Sequence, residues 1–106
     1  MKIKTIDVYA LEWFDRANGN SYFAGEVIIN YGMKSVKSIL MHFQYGYETH
    51  YRDAGFSALI NANLIKDAET YDNSAREALH QYCERKNIIL RTTKKENCKK
   101  RDLMLY

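Results

Sequence analysis

Apolar and polar positions alternate along the first half of the chain and recur at three- and four-residue spacing along much of the second, so strands are expected first and helices after them. Over residues 3–14, Ile6, Val8, Ala10 and Phe14 fall on one face of a strand and Tyr9, Leu11 and Trp13 on the other. Both faces are partly apolar. Such a strand is central in its sheet or covered on both sides, by a helix on one face and by another subunit on the second. Asn18-Gly19 then predicts a tight hairpin turn, because both residues tolerate the positive φ that such a turn demands. Phe23, Gly25, Val27, Ile29 and Tyr31 alternate with Tyr22, Ala24, Glu26, Ile28 and Asn30 to give a second strand, in which Gly25 admits a bulge or a close backbone approach. Tyr31-Gly32-Met33-Lys34-Ser35 breaks the pattern, and a third strand over 36–47 puts Ile39, Met41, Phe43, Tyr45 and Tyr47 on one face. Connections this short predict an antiparallel three-stranded meander.

From Thr49 the period changes. Tyr51, Ala54, Ala58, Leu59, Ala62 and Ile65 predict a helix over 50–64, weakened at Gly55 by about 1 kcal/mol relative to Ala in an exposed position. Ser74 and Glu77 have the spacing of a capping box, and a second helix over 75–86 follows with Ala75, Ala78, Leu79, Tyr82 and Cys83 as its buried stripe and Asn87 as its stop. Ile88 to Thr93 is a short, β-branched fourth strand. A charged run then closes on Leu103-Met104-Leu105-Tyr106, which suggests a return strand or an anchored tail. The expected fold is a single α+β domain over 1–106, in the order β-β-β-α-α-β: an antiparallel three-stranded meander, two helices on one face and a C-terminal strand.

Composition changes this picture in three places. Hydrophobic residues make up 46% of the 106 residues and charged ones 27%, enough for one domain to bury roughly two thirds of its unfolded surface without metal or disulfide. Nine tyrosines and no proline agree with a sheet that presents an aromatic surface. The net charge of +3 is unevenly placed: residues 1–90 hold ten Lys/Arg against eleven Asp/Glu, and residues 91–106 hold six against two. Attraction to polyanions therefore resides in the tail. The N-terminus carries no signal-peptide core, no stretch approaches a membrane span, and Cys83 and Cys98 have no CxxC spacing; a reduced cytoplasmic setting and no membrane partner are expected.

Candidate chemistry is sparse. Glu48, His50 and Asp53 are close in sequence, but their spacing matches no ligand set, and acidic residues in a first helical turn are expected from the dipole alone. Phosphate-binding glycine loops, zinc cysteine pairs and nucleophile elbows are absent from the sequence, so no enzyme activity, cofactor or metal is expected. Two binding features stand out. Phe43, Tyr45, Tyr47 and Tyr51, with Tyr22, Phe23 and Tyr31 on the neighbouring strand, form either a stacking platform for nucleobases or core beneath the helices; Tyr45 and Tyr47 are the members that fit exposure best. Arg91, Lys94, Lys95, Lys99, Lys100 and Arg101 form either a solvated edge that blocks strand pairing or a contact for phosphates or an acidic partner.

Glu12-Trp13-Phe14-Asp15 with Asn18-Gly19-Asn20-Ser21-Tyr22, and Phe43-Gln44-Tyr45-Gly46-Tyr47 with Tyr51 and Phe56, resemble short uncharacterised proteins encoded by bacteriophages and other mobile elements. The resemblance covers about the first sixty residues and carries no catalytic residues. It implies an accessory protein that binds and inhibits host machinery, CRISPR or another defence system, through protein contacts with a defence protein or nucleoprotein complex. The alternative from the residues is nucleic-acid binding by the basic segment and the sheet tyrosines. Uncovered apolar surface on the first strand further predicts a homo-oligomer.

Overall fold

The computed structural model describes residues 2–70 and 75–106, so the Ser74 half of the expected capping box lies outside the described residues. Its sheet has four strands, β1 (Thr5–Asp15), β2 (Asn20–Ile29), β3 (Lys37–Tyr45) and β4 (Ile89–Lys95), in the order β3-β2-β1-β4. The meander is present as expected, and β1 is central. β4 lies on the far side of β1 and runs parallel to it, from Thr5 opposite Ile89 to Leu11 opposite Lys95. A parallel neighbour requires a long crossover, which the helical segment between β3 and β4 supplies.

The hairpin differs in detail from the expected tight turn. Asp15 pairs with Asn20, and the loop 16–19 closes by a hydrogen bond from Gly19 N to Asp15 O at 2.7 Å. Of the Asn18-Gly19 pair only Gly19, at φ +70°, takes the left-handed conformation. Asn18 instead donates its side-chain amide to the Asp15 carboxylate at 2.8 Å, and the Ala17 amide donates to the same group.

Helices α1 (His50–Asn61) and α2 (Leu79–Lys86) pack on one face of the sheet. They cover Ile6, Val8 and Ala10 of β1 with Phe23, Val27 and Ile29 of β2, and contribute Tyr51, Phe56, Leu59, Leu79, Tyr82 and Cys83. Burial pushes the Cys83 thiol up to about 11, as befits a small core residue. The stripe expected for the second helix holds at Leu79, Tyr82 and Cys83, whereas Ala75 is exposed and lies ahead of the helix. Gly55 is buried rather than exposed: a Cβ there would meet Val8 Cγ1 at 3.1 Å, so this residue sets how closely α1 approaches β1.

A third helix, α3 (Lys100–Leu103), lies on the opposite face, where the sequence suggests a return strand or a tail and no helix. Leu103 is fully buried there, as is Ala24, whose side chain points to that face between Phe23 and Gly25. Tyr106 comes down near Tyr9 and Glu26, and burial raises its hydroxyl pKa. The chain's own C-terminus thus covers part of the surface that would otherwise call for another subunit.

Glu77 does not cap α2. The helix starts at Leu79 after an extended Ala78, whose amide donates to the Gln81 side chain at 2.9 Å. Glu77 turns inward, 2% exposed, where it accepts from Glu69 N at 2.9 Å and from the Arg85 guanidinium. Arg85 holds the Glu77 carboxyl below its ordinary 4.5. A depressed carboxylate contributes stability that is fully present above the unfolded pKa and is lost as pH falls through the folded one. Urea midpoints measured against pH are therefore expected to fall below about pH 4.5 in the native chain. Glu77→Gln should lower the midpoint at neutral pH and flatten that acid limb; an unchanged limb would show that the ion pair contributes nothing to folding.

Candidate binding surface

The surface around Tyr45 is created by an irregularity in β3. Pairing with β2 runs from Ile29 opposite Lys37 to Gly25 opposite Met41, then resumes with Phe23 opposite Gln44 and Tyr22 opposite Tyr45. Two steps on β2 thus match three on β3, and the extra residue falls at His42-Phe43. A bulge of this kind reverses which face each later side chain meets. Ile39 and Met41 point to the helices as expected, but Phe43 and Tyr45 point to the other face. The single apolar face expected from Ile39 to Tyr47 is therefore divided, and Phe43 is half-buried beside Tyr22 and Trp13 instead of lying under α1.

On that face three rings stack across three strands. Trp13 and Tyr22 are 5.6 Å apart at 25°, and Tyr22 and Phe43 are 5.0 Å apart at 12°. Near-parallel rings at these separations are offset stacks, each presenting part of one face to its neighbour. Tyr45 meets Tyr22 edge-on at 5.9 Å, and Tyr47 meets Tyr45 edge-on at 6.3 Å. Both outer tyrosines remain 56% exposed. Phe23, by contrast, is core, and Tyr51 is a buried residue of α1.

The basic residues divide into two groups. Arg91 lies opposite Asp7 in the β1–β4 register and binds it with two hydrogen bonds, at 2.6 and 2.9 Å, which raises its pKa. Lys94 is 14% exposed; it binds Glu12 at 3.0 Å and the Glu48 carbonyl at 2.9 Å. These two cations are occupied by the fold. Lys95, Lys99, Lys100 and Arg101 make no ion pair among the described residues. The turn into α3 is held by Asp102, whose carboxylate accepts from Lys99 N at 2.9 Å, and by Cys98 N donating to Glu12 O at 2.9 Å. It carries Lys100 to the hairpin end of the sheet, with Nζ 5.7 Å from the centre of the Trp13 ring. The Asn18 amide holds the Asp15 carboxyl below its ordinary range, and the nearby Lys100 charge adds to this.

No family model, curated protein or solved structure matches this chain. The surface must therefore be read from its own chemistry. The structure brings Tyr45 and Tyr47 onto the same aromatic group as Lys100, whereas Arg91 is held by Asp7 and Lys94 by Glu12 and the Glu48 carbonyl. The part of Trp13 in joining the two, and the bulge that turns Phe43 outward, have no signature in the alternation of residues. The Glu48, His50 and Asp53 set takes separate duties: Asp53 binds Arg76 at 2.8 Å, and Glu48 gives its carbonyl to Lys94. Among the described residues no three His, Cys, Asp or Glu side chains are placed to share a metal, and no helix is long and apolar enough to cross a membrane.

Proposed function

We propose that this chain is a non-enzymatic binding protein of phage type that inhibits a host defence component, CRISPR-associated or other, by protein–protein contacts centred on Tyr45 and Tyr47. The observation that carries the reading is the pair of half-exposed tyrosines standing on the Trp13, Tyr22 and Phe43 stack. Tyrosines held by packing lose little rotamer freedom on binding, which is why such residues dominate interface energetics. The stack also argues for protein over bases as the partner. Base stacking needs free ring faces, and Tyr22, in the middle of the stack, has a ring on each side of it. Lys100 beside Trp13, with Lys99 and Arg101 next to it in the chain, favours a partner with acidic groups. The inhibitory role follows from the resemblance of the Glu12–Tyr22 and Phe43–Tyr47 segments to phage-encoded proteins.

Affinity capture from nuclease-treated host lysate tests this. A protein is expected to be retained by the native chain, and Tyr45→Ala and Tyr47→Ala should each weaken its binding at least about 30-fold, the level of an interface hot spot. Recovery of nucleic acid alone from untreated lysate would overturn it.

Nucleic-acid binding is the second reading, favoured by Lys95, Lys99, Lys100 and Arg101, which make no ion pair among the described residues. Four phosphate contacts predict a log–log salt slope of about −2.8 for a single strand, at about −0.7 per contact. Replacing Lys99, Lys100 and Arg101 by Ala should reduce its size by about 2, while Arg91→Ala, already committed to Asp7, should leave it unchanged. Fluorescence anisotropy with a labelled oligonucleotide at two salt concentrations measures both; no binding at low salt removes this reading.

A further inference from the structure

The two edges of the sheet are defended unequally. β4 carries Arg91, Lys94 and Lys95 among its seven residues, and charge on an edge strand discourages pairing with another chain. β3, the other edge, carries Lys37 as its one Lys or Arg among nine residues, and no carboxylate. Leu40 on it is 48% exposed. We propose that two copies of the chain pair antiparallel through these β3 edges, about a twofold axis at Ile39, joining two four-stranded sheets into one.

The register follows from where the edge is regular. β3 begins at Lys37, and the bulge interrupts it after Met41. The His42 carbonyl is already taken by the Gln44 side chain at 3.0 Å, which closes the edge to a partner at that point. Five residues are left, and Ile39 is their centre. An axis there sets Lys37 opposite the partner's Met41 and Ser38 opposite the partner's Leu40, so no like charges meet. Moving the axis to Lys37 would instead set two ammonium groups face to face, which destabilises a cross-strand pair. On the outer face the two Leu40 side chains become diagonal neighbours, within reach of each other. On the helix face a groove of about 500 Å³ separates β3 from α1; His50 and Asp53 line it at the start of α1, and beyond them Ala54, Ser57, Ala58 and Asn61 are short. They leave room for α1 of the second copy. The contact is isologous and closes on itself, as a dimer requires. It uses neither Tyr45 nor Tyr47, so it stands or falls apart from what those residues bind.

Sedimentation velocity over a concentration series tests the pairing. The native chain is expected to be a dimer, and Leu40→Lys, which sets two lysines diagonally across the axis, should raise its dissociation constant at least about tenfold. Leu40 is exposed, and an unchanged circular dichroism spectrum shows that the variant still folds. The sharper test uses complementary chains, one with Ser38→Lys and Leu40→Lys and the other with Ser38→Glu and Leu40→Glu. Each should be monomeric alone, and mixing should give a dimer containing one of each, because position 38 of one copy faces position 40 of the other. A native chain that stays monomeric at every concentration, a dimer indifferent to Leu40→Lys, or complementary chains that fail to associate would each overturn the proposal.

Discussion

Gly25→Ala is expected to yield no folded protein. Gly25 lies opposite Ala10 in the β1–β2 ladder, and a Cβ on it would stand 1.9 Å from the Tyr9 carbonyl oxygen and 2.8 Å from Ala10 Cα. Both neighbours are backbone of the central strand, so no side chain can turn away to make room. A domain of this size has a stability of about 5–15 kcal/mol, and forcing the two middle strands apart at their centre should remove most of it. Gly55→Ala is the control. Its Cβ would press on the Val8 side chain at 3.1 Å, which can shift, while the helix gains about 1 kcal/mol of propensity. Urea unfolding followed by circular dichroism should show Gly55→Ala close to the native chain and Gly25→Ala without a transition. A cooperative Gly25→Ala transition near the native midpoint would contradict the strand register.

Asn30→Ala should be the most damaging of the polar substitutions. Asn30 is fully buried with φ at +54°, just after β2. Its Oδ1 accepts from Lys4 N at 2.7 Å, and its Nδ2 donates to Lys2 O at 2.9 Å and to Ser35 Oγ at 3.0 Å. The side chain thus ties the start of the chain and the β2–β3 turn to one point. Alanine would orphan an N–H and a C=O, at about 1–3 kcal/mol for each that stays buried, and would adopt a left-handed conformation at about 1 kcal/mol more. The sum is about 3–7 kcal/mol, read as a lowered urea midpoint at constant slope. Asn30→Gly separates the two parts, since it keeps the conformation and loses the bonds. If Asn30→Gly were as stable as the native chain, the hydrogen bonds would not be what holds these segments together.

These two residues also show what is legible in the sequence. Gly25 stands out there because a glycine packs nothing inside an apolar alternation, so its place in a strand points to a bulge or a close backbone approach. Asn30 is only one more position in that alternation, since its role depends on Lys2, Lys4 and Ser35, which the fold alone brings near. The meander and both main helices follow from periodicity. The parallel placement of β4 does not, because a short β-branched run says nothing of which edge it will join. The divided face of β3 is hidden for a different reason. Ile39, Met41, Phe43, Tyr45 and Tyr47 keep a perfect alternation, and only the pairing with β2 shows that one residue is in excess. The basic segment is legible as charge but not as function: Asp7 and Glu12, more than eighty residues upstream of Arg91 and Lys94, decide which cations are taken.

The proposed role of the Tyr45 corner can be tested at single-residue resolution. A photo-crosslinking amino acid would be placed in turn at Tyr45, at Tyr47 and at Tyr31, which is 66% exposed in the turn after β2. Irradiation of host cells expressing each chain should give one crosslinked protein species from positions 45 and 47 and none from 31. Crosslinks to nucleic acid from positions 45 and 47, or the same protein captured equally from all three, would contradict the account.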